Sequence, residues 1–492
     1  MTCKHFHIII LLFYVLPLTG QTWNWWPTGI TNDSLIGGDE LHYNAGIKAV
    51  VSSGQYTPFW IQSRTHGDIS SMPMSGNIHA GISKEATRDD RWFDYDFCVE
   101  LTGRIQGPQP SALQRVTPTV TGYFNQLYAH ARLYIIDITA GICPMIYETE
   151  DTLLTSGSLL FSGNAHPLPR ISIGIERWTA FPGLFGYVEV KGGLTHGWAN
   201  DNVYIEKSKI HHTYMGMRLG GRLPINIGYE FHHAAQWGGY SPKYGDLGND
   251  FNSFMDAVLV RAGGVMKNDQ LNAHGNHLIS QHLSIIGKWE QWRVCAYWQN
   301  MSEDNPALIG FGQNITDGLW GLSIKQQQWP FINALTIEYL NTTSQSGPWH
   351  DRDGLCYAGN DNYYRNGVYS NGWNYFYRTI GTPFITSPLY NTNGTLYTMN
   401  SRVKMFHIGL RGDIYGYQWR TLVSYARNYG NDNTSAQMVN HNTAWMVEVY
   451  KHVQKAWGLD FGIQLAGDIG DQFDNTFGVL LSIKKSGLIT TW

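Results

Sequence analysis

The sequence predicts an all-β fold: a transmembrane outer-membrane β-barrel of roughly 16–20 antiparallel strands, with long extracellular loops and a short loop helix. Three observations carry this. Only 15% of the 492 residues are charged while 14% are aromatic, whereas soluble domains carry about 25% charge. After the first twenty residues, nothing approaches the ~18 consecutive apolar positions that a membrane-crossing helix needs. Yet alternation of apolar with polar or small residues recurs almost to the last residue, as strands with one face on lipid require.

The elements follow in chain order. Lys4, the apolar run from Phe6 to Leu16 and Pro17-Leu18-Thr19-Gly20 read as a signal peptide over residues 1–20. Residues 21–492 read as one barrel domain of an exported protein. The first strand shows Leu41, Tyr43, Ala45, Ile47, Ala49 and Val51 on one face. Ile171, Ile173 and Ile175 repeat the rhythm, as do Trp457, Leu459, Phe461, Ile463 and Leu465. In Trp292, Val294, Ala296 and Trp298 the apolar face is bracketed by indoles, which favour the membrane interface. A secreted β-sandwich would also alternate, but no Pro/Ser-rich linker divides the chain into sandwich-sized units. At ~26 residues per strand and connection, the strand count falls inside the range known for such barrels.

Connections alternate in length. Short turns are expected at Glu290-Gln291 and Ile414-Tyr415-Gly416, and long polar loops near 142–169, 199–212, 237–281, 301–317 and 341–400. That asymmetry is typical of outer-membrane barrels. One loop shows helical spacing of Phe251, Phe254, Met255, Val258 and Leu259, between Asp250 and Ala262, with Asn249 or Asp250 as cap. The chain ends at Trp492, an aromatic placed where the barrel-assembly machinery would read a final strand.

Several functions are disfavoured. A net charge of −4 supplies no basic stripe for nucleic acid, and 43% hydrophobic content is too high for a disordered chain. No HExxH, GxSxG, GxxxxGK or CxxC occurs, so the familiar hydrolase, zinc and nucleotide signatures are absent and no cofactor or metal is expected, although a catalytic carboxylate pair has no fixed spacing. Cys98, Cys143, Cys295 and Cys356 are widely spaced and read as single cysteines within strands. Asp351-Arg352-Asp353-Gly354 lacks the later ligands of a calcium loop and reads as a polar turn.

The informative stretch runs from Gly359 through Asp361, Asn362, Tyr363, Tyr364, Gly372 and Trp373 to Ile380-Gly381-Thr382-Pro383. Carboxylate, amides and aromatic rings interleaved with glycine suit sugars, which present hydroxyls and apolar C–H faces. Asp361, Asn362, Tyr363, Tyr364 and Trp373 are therefore candidate glycan-binding residues. The alternative is a loop folded over the barrel mouth, its aromatics packed as a plug. Gln236 and Trp237 complete the candidate set. The paired His211-His212 and His232-His233 cannot each chelate as a pair, because adjacent strand residues point to opposite faces. A lumen-facing hydrogen-bond network is expected of them.

These segments resemble the capsule assembly Wzi family of Bacteroides-like bacteria. The matching motifs are Tyr56-Thr57-Pro58-Phe59-Trp60, Gly157-Ser158-Leu159, Ser162-Gly163-Asn164-Ala165, Pro167-Leu168-Pro169-Arg170, His232 with Gln236-Trp237-Gly238-Gly239, Asn272-Ala273, Gly275-Asn276-His277, the Gly359–Tyr369 run and Ile380-Gly381-Thr382-Pro383. Ala273-His274-Gly275 departs from the pattern, which has an apolar residue before the glycine. The resemblance implies a lectin-like barrel, not an enzyme, that binds capsular or extracellular polysaccharide and helps attach the capsule, with outer-membrane lipids and the barrel-assembly machinery as its other partners. The second reading is a channel of porin or glycan-export type. Against an open bore stand the long loops and Tyr123, Tyr128, Tyr134 and Trp237, which are expected to fill the lumen.

Overall fold

The computed structural model describes residues 39–85, 92–107, 119–145, 147, 151–261, 275–303, 314–345, 350–352, 355–358, 362–391, 393–431 and 439–491. The expected signal peptide, Asp361 and Trp492 lie outside them. Eighteen strands form one antiparallel sheet. They are β1 (Glu40–Ser52), β2 (Met74–Lys84), β3 (Phe93–Gln106), β4 (Val120–Leu133), β5 (Ile136–Ile142), β6 (Pro169–Ala180), β7 (Val188–Ala199), β8 (Ser208–Leu219) and β9 (Ile225–Trp237). There follow β10 (Asn276–Lys288), β11 (Trp292–Glu303), β12 (Gly318–Gln326), β13 (Ala334–Asn341), β14 (Val403–Ile414), β15 (Tyr417–Asn428), β16 (Asn440–Val453), β17 (Leu459–Gly470) and β18 (Thr476–Thr491). Each pairs with its neighbours in sequence, and β1 pairs with β18 through Ile47 opposite Ile483, which closes the barrel. Closure leaves no strand edge without hydrogen bonds, the condition for crossing lipid.

The burial pattern is that of a barrel turned inside out. Ile47, Ile78, Ile105, Ile171 and Leu481 are exposed on the outer surface, whereas Asn44, Lys48, Asn77 and Glu100 are buried toward the axis. At the short-turn end stand Tyr134, Phe185, Trp289, Trp329, Tyr415 and Trp457, all exposed, where an interfacial aromatic girdle belongs. Tyr134 therefore points to solvent from a turn rather than filling the lumen. Trp457, expected on a strand face, occupies the turn before β17 with φ +54°. The Tyr415-Gly416 turn has positive φ at both residues, the backbone twist a two-residue hairpin favours.

One irregularity re-aims side chains inward. Glu100 pairs with Gln126 and Leu101 with Phe124, so Asn125 is an extra residue in β4. Asn125 and Gln126 are consequently both buried, and the Asn125 amide donates to Glu100 Oε1 at 2.7 Å.

The long connections share one end of the barrel, and the first and last described residues lie at the other. Polar strand ends extend into the stretches expected as loops, 199–212 and 237–281: β8 starts at Ser208 and β10 at Asn276. Their residues are polar because they face the lumen or are covered by another element. That element is the expected helix, α2 (Phe251–Leu259), which follows α1 (Phe59–Gln62) in the chain. Asp250 caps α2 by accepting from the Ser253 amide at 2.9 Å, and Val260 ends it at φ +54°.

Candidate functional site

The lumen is filled by the described parts of three long connections, 53–73, 143–168 and 342–402, folded inward as a plug. Each contributes buried apolar residues to one core. Phe59, Trp60 and Ile61 come from the first, Leu154, Leu159, Leu160 and Phe161 from the second, and Tyr363, Tyr364, Trp373, Phe384 and Ile385 from the third. Within it, Phe59 packs on Phe384 with ring centres 4.9 Å apart, and Phe161 on Trp373 at 5.6 Å.

Polar bonds tie the three loops pairwise. Arg64 Nε donates to the Ser162 carbonyl at 3.2 Å, Ser162 Oγ to the Gly381 carbonyl at 2.6 Å, and Arg378 Nη2 to the Ile69 carbonyl at 2.8 Å. Burial pushes the Arg378 guanidinium down to about 10. Gly381 is required by proximity, since a Cβ there would sit 2.0 Å from Tyr364 Oη and 2.1 Å from the Leu159 carbonyl oxygen. The Tyr364 hydroxyl itself donates to Leu159 O and accepts from the Thr382 amide at 3.0 Å.

Several contacts bind the plug to the wall, buried carboxylates prominent among them. Asp68 takes Lys48 Nζ at 2.6 Å, and Asp468 of β17 accepts from the Phe59 amide at 2.8 Å. Glu338 of β13 accepts from Thr155 Oγ1 and the Ser156 amide, each at 2.5 Å. Asp151 meets Arg411 at 2.9 Å and Lys325 at 3.5 Å. Arg411 and Lys325 lie near the short-turn ends of β14 and β12, so the second loop crosses the bore to its far end. Burial alone would raise the Asp151 carboxyl, but Arg411 and then Lys325 outweigh it and hold it below the usual range. Asp68 is held down likewise by Lys48 against burial.

The described candidate glycan residues of the third loop fall into this architecture rather than onto an open surface. Tyr363, Tyr364 and Trp373 are at most 2% exposed, and Asn362 is buried. Tyr363 Oη donates to the Met301 carbonyl at 2.8 Å, and Trp373 Nε1 to the Leu160 carbonyl at 2.9 Å. Their ring faces are occupied by the plug, so the sugar platform expected of them is not presented: the packed-loop alternative describes where they sit. Gln236 points into the barrel, where Asn276 Nδ2 donates to it at 3.4 Å. Trp237 does not fill the lumen. It lies on the outer face of β9 beneath α2, 5.5 Å from the Phe254 ring, with Lys209 over it at 4.3 Å. Tyr123 faces inward, its hydroxyl 3.2 Å from Asp68 Oδ1.

Among the described residues, exposed rings on the long loops include Tyr240 and Phe376, with Phe251 at the start of α2. The Phe376 amide donates to Asp201 Oδ2 at 2.9 Å. Burial pushes the Asp201 carboxyl up to about 6, against amide donors that lower it. Between plug and wall runs a cleft whose lining includes Lys48, Trp60, Arg64, Asp68, Arg420 and Glu448, a mixed-charge surface with one indole.

The histidines divide between the faces. His212 and His232 are buried in the inner wall, with His212 Nε2 and His232 Nδ1 at 3.2 Å. His211 and His233 are on the outer face, His211 against Phe254 and His233 Nε2 at 2.9 Å from His277 Nδ1. Sequence reasoning missed Asp151, Glu338 and Arg411, which anchor the plug. Two charges on inward positions of apolar-out strands were the available signal for the wall partners.

No protein-family model matches the chain, and no curated protein matches it. Among solved structures it is similar to Wzi of Escherichia coli, an outer-membrane protein involved in group 1 capsule assembly and described as a carbohydrate-binding β-barrel. The identity is 14%, with 91% of this chain and 84% of that one covered and a TM-score of 0.57. A BenF-like porin from Pseudomonas fluorescens Pf-5 aligns at 11% identity over 92% and 100% of the two chains, TM-score 0.48. OccK5 of Pseudomonas aeruginosa aligns at 8% over 92% and 99%, TM-score 0.47. At these identities the likeness concerns the fold, and that fold is the closed antiparallel barrel of outer-membrane proteins.

Proposed function

We propose that the chain is an outer-membrane, lectin-like barrel of the Wzi kind, which binds a capsular or extracellular polysaccharide and helps hold it at the cell surface. The observation that carries this reading is the plug, whose Asp151 reaches Arg411 at the far end of the bore. A filled barrel is suited to binding at its mouth rather than to conducting solute. The apolar outer surface and the aromatic girdle fit a bilayer. The motifs of the family resemblance supply the loop ties, Ser162 to Gly381 among them. Exposed Tyr240 and Phe376 are the rings a sugar could stack on, with Asn and Asp residues of the same loops for its hydroxyls.

The mixed-charge cleft between plug and wall favours a second reading, a channel for small solutes or a glycan. The two separate in one experiment. Purified protein is assayed for binding to capsular polysaccharide of its own cells and for conductance in planar bilayers. Cells carrying Tyr240→Ala with Phe376→Ala are scored for capsule released into the medium. Glycan binding, capsule release and a silent bilayer support the lectin-like reading. Steady conductance without glycan binding overturns it in favour of the channel.

A further inference from the structure

Three inward residues of adjacent strands converge on the inner wall. Glu230 and His232 are two apart on β9, so both face the lumen, and His282 of β10 pairs directly opposite Glu230. One ligand atom from each of the three can be chosen so that all lie within 4.8 Å of one another. All three are buried. His232 Nε2 lies 3.3 Å from Glu230 Oε2, and the His232 and His282 rings stack 4.5 Å apart. His282 Nε2 is 3.1 Å from Ser280 Oγ, while its Nδ1 is buried with no hydrogen-bond partner. An imidazole nitrogen left without a partner in the wall of a barrel is costly unless something else takes its lone pair or proton.

We propose that Glu230, His232 and His282 form a binding site for a divalent transition-metal ion of the zinc class in the inner wall. Two imidazoles and one carboxylate are the donor set such ions accept, whereas magnesium and calcium favour oxygen alone. Without an ion, Lys191 Nζ neutralises Glu230 at 2.7 Å. A divalent cation replaces that single positive charge with two and satisfies both imidazoles. The site cross-links β9 to β10. It also fixes the His232 ring, on which Tyr147 from the plug loop 143–168 packs with ring centres 5.1 Å apart, so the ion would stiffen one plug–wall contact.

The test uses the whole chain, folded in detergent, without a polyhistidine tag and stripped with chelator. Zinc and cobalt(II) are titrated separately, bound metal is measured by elemental analysis, and the cobalt visible spectrum is recorded. One ion per chain is expected, with binding weakened by more than about tenfold in His282→Gln and Glu230→Gln. Lys191→Met should bind more tightly, because it removes the competing ammonium. His211→Gln, on the opposite face of the wall, should bind as the unsubstituted protein does. The proposal is overturned if the folded unsubstituted protein binds no metal, or if His282→Gln binds as tightly. The unsubstituted titration decides the matter even where a variant does not fold.

Discussion

The Asp151 carboxylate lies 2.9 Å from the Arg411 guanidinium, although Asp151 belongs to a long-loop connection and Arg411 lies near the opposite end of the barrel. The second loop therefore spans the bore. Lys325 at 3.5 Å completes the anchor, so the carboxylate is buried with its charge met.

Removing one partner of a buried ion pair costs up to about 3–5 kcal/mol where the remaining charge is left unmet, and Lys325 offsets part of that for Asp151. Arg411→Ala should therefore detach the plug tip while the strands stay paired. The expected result is conductance in planar bilayers at a barrel of unchanged heat-modifiable mobility. A variant as silent as the parent would show that this anchor does not hold the bore closed.

Gly381→Ala should disrupt the junction of the second and third loops, an overpacking cost of about 1–3 kcal/mol or more. The new methyl would meet both Tyr364 Oη and the Leu159 carbonyl oxygen. Trimming one obstacle leaves the other, so Gly381→Ala with Tyr364→Ala should not recover the parental unfolding temperature. Recovery in the double variant would mean that the backbone contact gives way easily.

Trp373 is fully buried, and its Nε1–H satisfies the Leu160 carbonyl. Trp373→Ala should cost about 3–5 kcal/mol of stability. If it also releases capsule, the loss should track plug order. Limited proteolysis of the intact barrel would then show new cleavage within 342–402. Capsule release with an unchanged digest would instead indicate direct contact between Trp373 and glycan.

Acid should loosen the plug. Burial, then Arg64 and His166, depress His66 from its ordinary 6.5 to about 3, so it stays neutral when folded. Because the folded value is the lower one, the unfolded loop takes up the proton first. Stability that is constant above 6.5 is lost as pH falls from 6.5 toward 3. Asp68 and Asp151, both held below the usual carboxylate range, add a loss at the acid end of that window. Protease access to the plug should rise between pH 6.5 and 4, and His66→Gln should flatten that part of the curve. A pH-independent digest down to pH 4 would exclude His66 as a determinant.

The barrel was legible because a lipid-facing strand writes its environment into every second residue. Ile171 and Ile173 are exposed on the outer surface, as their alternation with Ser172 and Gly174 required, and Phe461, Ile463 and Leu465 do the same. Eighteen strands fall within the expected 16–20, and the loop helix begins at its expected cap. Boundaries were less legible where polarity had two meanings. His211 and His212 look like loop in a linear chain, yet one is covered by α2 and the other faces the lumen.

By itself, then, the sequence determined the closed antiparallel barrel, its lipid-facing side and the alternation of short turns with long loops, because each depends on local period and composition. Only the tertiary structure decided what the loops do. Nothing in the Tyr363, Tyr364 and Trp373 run distinguishes rings offered to a ligand from rings packed together, since the same residues serve both. Which outcome holds depends on partners more than a hundred positions away, such as Leu160 for Trp373 and Leu159 for Tyr364. Likewise Asp151, Arg411, Glu230 and His282 acquire their meaning from barrel closure and register, which bring distant charges and ligand atoms to one wall.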